Sequence, residues 1–464
     1  MNPDTAADTS AAPTGRSLSR TLAPRHVTMI SIGGIIGAGL FVGSSAAIAA
    51  VGPAVVLSYL IAGLLILLVM RMLAEMASIL PGARSFTEFA RAGLGRGAGF
   101  VVGWLYWYFW VIVVPVEAIA GAGLLHQWIA LPQPLLGALL VIIMTGVNLM
   151  SARSYGEFEF WFSSIKVAAI VLFILLAGAF ALGLLGPGAP RAAQNLAGRG
   201  GFLPHGALAV LAGVTTVFFS LTGAEITTVA AVESRDPQRA LTRMTTAVIS
   251  RILLFYVASI FLIVTVVPWN QIVPGESPFT HALSSMHFPW AGQAMALIIL
   301  TAVLSCLNSA FYVTSRVLFT LAANDDAPRW LVQLDARRVP ARSVLIGCAA
   351  GLAGIIAATW SPAGVFAFLI NASGALIVFV YLATAGAQLR LRHGRGSEAP
   401  PPVRMWFFPW ASWLAIAGML AVLGAMALTP GLASQFYVSV AALAVALAAY
   451  GLTALRRRRR ADAR

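Results

Sequence analysis

Long apolar runs alternate along the chain with short polar connections, and twelve of these runs have the length of a membrane crossing. A helix needs roughly 20 apolar residues to cross a bilayer. We predict spans at residues 27–51, 53–78, 98–127, 133–150, 158–185, 206–231, 245–268, 290–320, 343–359, 363–388, 407–428 and 432–455. The pattern therefore predicts an all-α membrane protein with twelve transmembrane helices.

The first of these runs is interrupted by glycines at positions 33, 34, 37 and 39. Each glycine costs about 1 kcal/mol against alanine inside a helix. Irregular backbone within a membrane is tolerated only beside protein or a watery cavity. We therefore predict a broken helix at a cavity, where free amides and carbonyls suit a zwitterion. The alternative is a packing face of small residues at Gly33 and Gly37.

The sixth run has a similar interruption, because Ser220, Thr222, Gly223 and Glu225 break its apolar pattern. Two broken spans five helices apart predict an inverted repeat whose half-helix ends meet near the bilayer midplane. The first repeat would cover residues 26–185 and the second 206–388, and helices 11 and 12 at 406–455 would lie outside both. Residues 1–25 are predicted to be a disordered tail and 456–464 a basic one.

Composition agrees with the membrane prediction. The 464 residues are 59% hydrophobic and 10% charged, whereas soluble domains are roughly 25% charged. The net charge of +14 does not indicate nucleic-acid binding, because the basic residues lie in short connections between apolar runs. With the N-terminus inside, the opposite side carries only Arg191 and Arg199. This asymmetry predicts that both termini are cytoplasmic.

Two connections have apolar residues at helical spacing. Residues 80–91 predict an interfacial helix, and residues 320–338 a similar one. Each would act either as a gate at the inner mouth or as a plain connector. Cys306 and Cys348 stand inside apolar runs and are interpreted as packing residues. We find neither a nucleophile with its base nor a metal-ligand cluster, so we expect no enzyme, no metal and no cofactor.

Ionisable residues inside spans are costly and suggest function. Glu225 would face the cavity or cap the freed amides of the break. Glu117, in the third span, would carry a proton, pair with a cation or support a helix kink, since burial disfavours an unpaired carboxylate. Lys166 is the only lysine of the chain. A buried Lys releases its proton far more readily than Arg, so we interpret Lys166 as a proton site, with snorkelling to the surface as the alternative.

Several sequence blocks resemble bacterial permeases of the amino acid-polyamine-organocation superfamily. The strongest is residues 25–44, which contain SIGGIIGAGLFVG. Other blocks are similar to the permeases of this group that carry 4-aminobutyrate (GABA): residues 70–76, 103–107, 155–161, 223–234, 305–309, 373–375 and 404–406. The resemblance implies a proton-coupled importer with a five-plus-five inverted repeat in a bacterial inner membrane. Permeases for aromatic amino acids, proline or lysine share this frame, and an amino-acid sensor of the same fold stays an alternative.

The resemblance also implies roles for particular residues. Amides of Gly37, Ala38 and Gly39 would hold the substrate carboxylate, and carbonyls of Ile35, Phe219 and Leu221 its ammonium. Phe219 matches an aromatic gate, and Lys166 matches a lysine that in some relatives occupies the place of a coupling sodium ion. Independently of the resemblance, Asn308 would line the pocket or make a polar contact between helices. Many relatives have Ser or Thr where this chain has Ala38, so the hydroxyl contact is missing. The more distant ammonium of GABA would reach Glu117 or Glu225.

Overall fold

The computed structural model describes residues 36–80, 86–150, 152–185, 189–223, 225, 252–394 and 401–462, and their regular elements are helical. The first half contains α1 (Ala38–Phe41), α2 (Ser44–Val51), α3 (Val55–Ile79), α4 (Phe86–Leu94), α5 (Arg96–Leu125), α6 (Gln133–Met150), α7 (Ala152–Ala181), α8 (Ala189–Ala197) and α9 (Gly206–Leu221). The second half contains a π-helical segment (Ile252–Ala258), α10 (Ser259–Val266), α11 (Pro278–Ser285), α12 (Pro289–Ala323), α13 (Ala341–Ala357), α14 (Pro362–Gly394), α15 (Trp410–Leu428) and α16 (Ala433–Asp462).

Eight of the described helices are long and apolar enough to cross a membrane: α3, α5, α6, α7, α12, α14, α15 and α16. Four shorter apolar stretches, at 38–51, 206–221, 254–266 and 341–357, lie where further spans are predicted. The prediction of an all-α membrane protein is confirmed. The count of twelve and the inverted repeat stay predictions.

The centre of the bundle is α5. It packs against α4, α6, α12, α13 and α14, and 78% of its most apolar stretch is buried. Helix α16 has the opposite character, because only 11% of its most apolar stretch is buried. A helix that is apolar all round is covered by protein or by the membrane. The bundle therefore has a protein-enclosed axis at α5 and an apolar edge at α16 that the rest of the described chain leaves uncovered.

The connection after α12 differs from the prediction. Residues 320–338 do not form a second interfacial helix, because α12 ends at Ala323 and only a short 3₁₀ turn, Arg329–Val332, follows. Pro328 precedes this turn, and Asp325 has a φ of 58°. Proline restricts the residue before it to extended conformations, and a positive φ ends a helix. The connection at residues 80–91 does contain a helix, α4, in the part that the structure describes.

Two buried carboxylates join helix ends that are distant in sequence. Asp326 forms ion pairs with Arg91 of α4, Arg96 of α5 and Arg457 of α16. Glu75 of α3 accepts a hydrogen bond of 2.8 Å from Arg392 of α14 and a second from the amide of Met405. Breaking a buried ion pair typically costs several kcal/mol. The Asp326 ion pairs therefore hold the ends of α4, α5 and α16 together, and the Glu75 ion pair holds the ends of α3 and α14 together. Both sets of ends lie on the side of the bundle where the arginines concentrate.

Candidate functional site

The site is built around the start of α1, a single helical turn. The amide of Ala38 donates to both carboxylate oxygens of Glu117, at 3.1 and 3.0 Å. Glu117 lies on α5 and is 1% exposed, and α1 also packs against α9 and α12. The first amides of a helix have no partner inside the helix and favour an anion. A carboxylate of the protein itself thus occupies one of the amides that the resemblance assigns to the substrate carboxylate.

Helix α9 ends opposite α1. Its last residue is Leu221, and Gly223 has a φ of 106°, which favours glycine and does not continue a helix. The amide of Gly223 donates to Glu225 at 2.7 Å. In a continuing helix this amide would bond the carbonyl of Phe219, four residues earlier. The break therefore turns a donor away from one of the carbonyls predicted to hold the substrate ammonium.

Glu225 is surrounded by donors. Besides the Gly223 amide, the hydroxyls of Tyr106 and Tyr381 donate to its two oxygens at 3.3 and 3.2 Å. Tyr106 lies on α5 and Tyr381 on α14. This arrangement matches the alternative in which Glu225 caps the broken end of α9. A buried carboxylate with several hydrogen bonds is stabilised where it stands.

A small cavity lies between the two helix ends. Its volume is about 20 Å³, enough for one water and far below the roughly 300 Å³ of typical ligand pockets. Glu117 lines it, whereas Glu225 and Asn308 do not. The other lining residues are Gly39, Phe109, Trp110, Val113, Phe219, Ser220, Thr222 and Cys306. The structure therefore holds the site closed.

Two glycines permit this close packing. A Cβ at Gly37 would lie 2.5 Å from Cβ of Cys306 and 2.7 Å from Oε1 of Glu117. A Cβ at Gly39 would lie 2.7 Å from Cα of Ser220. Real Cβ atoms do not come this close to other heavy atoms. Gly37 thus packs closely, as the alternative of a packing face at Gly33 and Gly37 predicts, while Gly33 lies outside the described residues. Gly39, which that alternative did not include, packs closely as well, and the two glycines bring α1 against α5, α9 and α12.

Lys166 lies behind this wall. It is fully buried on α7, and its ammonium donates to the hydroxyl of Ser305 on α12 at 2.8 Å. Cys306, the next residue, hydrogen-bonds to Glu117 and lines the cavity. Because Lys166 is fully buried, it does not snorkel to the surface. The chain of contacts from Lys166 through Ser305 and Cys306 ends at Glu117.

The remaining predicted residues are placed as follows. Asn308 accepts a hydrogen bond of 2.8 Å from Asn148 of α6, which is the polar contact between helices given as the alternative. Ile35 lies outside the described residues.

Three contributors have no site role predicted from the sequence: Cys306, which is interpreted there as a packing residue, and the two tyrosines that hold Glu225. Tyr106 and Cys306 do fall inside blocks that resemble GABA carriers, residues 103–107 and 305–309, and these blocks are the signal that the sequence offers for them.

Together, the fold and site define a polytopic membrane protein with a closed polar centre where two helices end. The amino acid permease family matches residues 26–463, and the chain belongs to this family. It is 42% identical to the gamma-aminobutyric acid permease of Bacillus subtilis, covering 93% of each chain. It is 47% identical to a probable GABA permease of Pseudomonas aeruginosa, over 89% of this chain and 88% of that protein.

A solved structure shares the fold at low sequence identity. A mutant of the Eremococcus coleocola manganese transporter superposes with a TM-score of 0.57 at 14% identity, covering 97% of this chain and 98% of that one. This likeness concerns the fold alone. The family match and the permease relatives confirm the sequence prediction of a transporter rather than an enzyme.

Proposed function

We propose that the chain imports GABA, or a related small amino acid, into the bacterial cytoplasm together with protons. The observation that carries this proposal is the carboxylate of Glu117 on the amide of Ala38, beside the broken end of α9. It supports a site built to bind a carboxylate at one end and a cation at the other. The relatives named as GABA permeases support the choice of substrate.

At the carboxylate end, the substrate replaces Glu117 on the Ala38 amide. Ala38 offers no hydroxyl, so recognition here depends on backbone amides of residues 37–39. Glu117 is the only acid among the residues that line the described cavity. We therefore assign it the role of a carboxylate that holds the amide until substrate arrives.

At the ammonium end, the carbonyls of Phe219 and Leu221 receive the substrate. Both lie in the last turn of α9, where the last carbonyls of a helix have no partner within it. The ammonium of GABA is three carbons from its carboxylate carbon, which lets it span from α1 to this end. Glu225 already accepts from three donors, so its part is to hold the break in shape.

Proton coupling follows from the exchange of carboxylates. A substrate carboxylate at Ala38 and an ionised Glu117 would be two negative charges in a site shielded from water. Because each charge disfavours the other, one of the two carboxylates takes a proton. Glu117 would thus be protonated when substrate binds and ionised again when it leaves. We assign Lys166, whose buried ammonium donates to Ser305 on α12, the role of the positive charge that draws the proton from Glu117 after release.

The aromatic residues of the cavity wall favour a small substrate over an aromatic one. Phe109, Trp110 and Phe219 crowd the wall, and the ring centroids of Phe109 and Phe219 are 6.1 Å apart. An aromatic side chain would have to displace one of these rings. Permeases for aromatic amino acids, proline or basic amino acids are the alternatives that competition with unlabelled substrates distinguishes.

The test is uptake of radiolabelled GABA into proteoliposomes that contain the full chain. We expect accumulation when the interior is alkaline, and only exchange when no pH difference is imposed. Lys166→Ala should reduce the accumulation but not the exchange. A protein that binds GABA and shows neither accumulation nor exchange would be a sensor, and stronger competition by phenylalanine, proline or lysine would overturn the choice of substrate.

A further inference from the structure

An apolar groove runs along the outside of the bundle between α5 and α16, and its volume is about 910 Å³. One wall is aromatic and contains Phe100, Trp104, Trp107 and Tyr108. The other wall is mostly small residues of α16: Ala441, Ala442, Ala446 and Ala449. Lining residues of α16 extend from 438 to 457, about 28 Å at 1.5 Å per residue. The groove is therefore longer than one bilayer leaflet, which is roughly half of a 30 Å hydrocarbon core.

The groove opens toward lipid. Tyr108 is 37% exposed and Val445 is 69% exposed, although both lie within apolar spans. In the hydrocarbon region such surface is covered by lipid chains or by another protein. An apolar groove of this length offers a surface along which an acyl chain can lie.

One end of the groove is polar and carries excess positive charge. Asp325, Asp326 and Arg457 line this end, and Arg91, Arg96 and Arg329 form ion pairs with the two aspartates. The bond from Arg329 lowers the pKa of Asp325, so this carboxyl is ionised. Four arginines thus face two aspartates among the described residues, and one of the four, Arg457, belongs to the arginine run 456–460.

We propose that this groove binds an anionic phospholipid, with an acyl chain between the aromatic and alanine walls and the phosphate at Arg96 and Arg457. Clusters of arginine next to a transmembrane helix attract anionic lipids. A guanidinium has five N–H donors, so Arg457 holds Asp326 and a phosphate oxygen together. The side chain of Arg96 is 46% exposed, and its distance of 3.9 Å from Asp326 is too long for a hydrogen bond. Its N–H donors are therefore accessible to a headgroup.

A second copy of the chain fits this surface less well. Two copies inserted in one membrane share the same orientation, so their arginine-rich ends would meet at the same face. Like charges brought together there repel each other, whereas an anionic headgroup neutralises them. The charge at this end therefore favours lipid as the occupant.

The test measures lipid retained on the purified full chain by native mass spectrometry. Phosphatidylglycerol and phosphatidylcholine with the same acyl chains are added in separate titrations. Because one surface arginine contributes about fivefold in affinity for anionic lipid, we expect phosphatidylglycerol to be retained about fivefold or more over phosphatidylcholine. Equal retention of the two lipids would overturn the assignment of an anionic headgroup.

A pair of substitutions on α16 locates the site. Ala441→Trp would fill the groove at an exposed position, and Ala444→Trp adds the same side chain at an exposed position that does not line it. We expect Ala441→Trp to abolish the roughly fivefold preference for phosphatidylglycerol over phosphatidylcholine that one arginine supplies, and Ala444→Trp to keep it. Equal loss in both variants would place the lipid elsewhere, and dissociation of a dimer by Ala441→Trp alone would identify a second copy as the occupant.

Discussion

Glu117 gives the closed site its particular chemistry, because it is a carboxylate bound where a carboxylate substrate is expected. Its two oxygens share the Ala38 amide, and Cys306 adds a further hydrogen bond. In the proposed mechanism, an incoming substrate carboxylate competes with Glu117 for this amide. The proposed competition is what would couple substrate binding to protonation of Glu117.

Glu117→Gln tests this competition directly. Glutamine keeps an oxygen for Ala38 but carries no charge and exchanges no proton. We expect GABA counterflow to continue, and pH-driven accumulation to fall to the level seen without a pH difference. The measurement is radiolabelled uptake in proteoliposomes in both modes.

Glu276→Gln, at an exposed position, is the matched control and should behave as wild type in both modes. Parallel loss of counterflow and accumulation in Glu117→Gln would contradict the exchange of carboxylates. That outcome would instead indicate that the Glu117 carboxylate binds the substrate ammonium.

The ionisable residues of the site can be predicted from the sequence because they are costly in a membrane, whereas Cys306 and the two tyrosines carry no such signal. Glu117 and Lys166 stand out because an ionisable group in an apolar run demands a reason. Cys306 carries no such cost, so its position at the cavity could be learned only from packing. The tyrosines that hold Glu225 are 119 and 156 residues away from it, beyond the reach of any local pattern.

At the scale of the helices, one close approach between α9 and α14 requires a glycine. A Cβ at Gly374 would lie 1.9 Å from the carbonyl oxygen of Thr215, a backbone atom that cannot move aside alone. The two helices therefore approach each other more closely here than any side chain allows. Since α9 ends at the site, this contact positions the break.

We expect Gly374→Ala to destabilise the protein by about 1–3 kcal/mol, the usual cost of forcing extra volume into a packed core. Gly386→Ala on the same helix is the control, because its Cβ would meet the Leu94 side chain at an ordinary 3.6 Å. The midpoint of thermal unfolding in detergent measures both variants. Equal midpoints for the two variants would show that α9 and α14 are not held together at Gly374.

Hydropathy predicts the positions of the long helices, but it does not predict the structure of the connections between them. The helices α3, α5 and α6 begin and end within about two residues of the predicted spans, because twenty apolar residues have little choice of structure in a bilayer. The short helices α8 and α11 were not predicted. They lie in connections, where hydropathy carries no signal, and the turn after α12 depends on Pro328 and on the backbone of Asp325.

For the whole molecule, the arrangement of charge predicts the orientation of the protein in the membrane. The ion pairs of Asp326 and Glu75 collect arginines from α4, α5, α14 and α16. A membrane protein places such residues preferentially on its cytoplasmic side. Eight long and four shorter apolar helices in the described residues agree in number with twelve crossings, and an even number returns both termini to one side.

Reporter fusions test this topology. Green fluorescent protein fused after Arg464 should fluoresce, because it folds in the cytoplasm, and alkaline phosphatase fused there should be inactive. Fusion of alkaline phosphatase after Thr429, which follows the eleventh predicted span, should be active, because that connection would lie outside. The paired fusions control for expression, since each position carries both reporters in turn. If both positions report the same side, helix 12 does not cross the membrane. If the two sides are exchanged, the arginine-rich face is external, and import would have to run from that face.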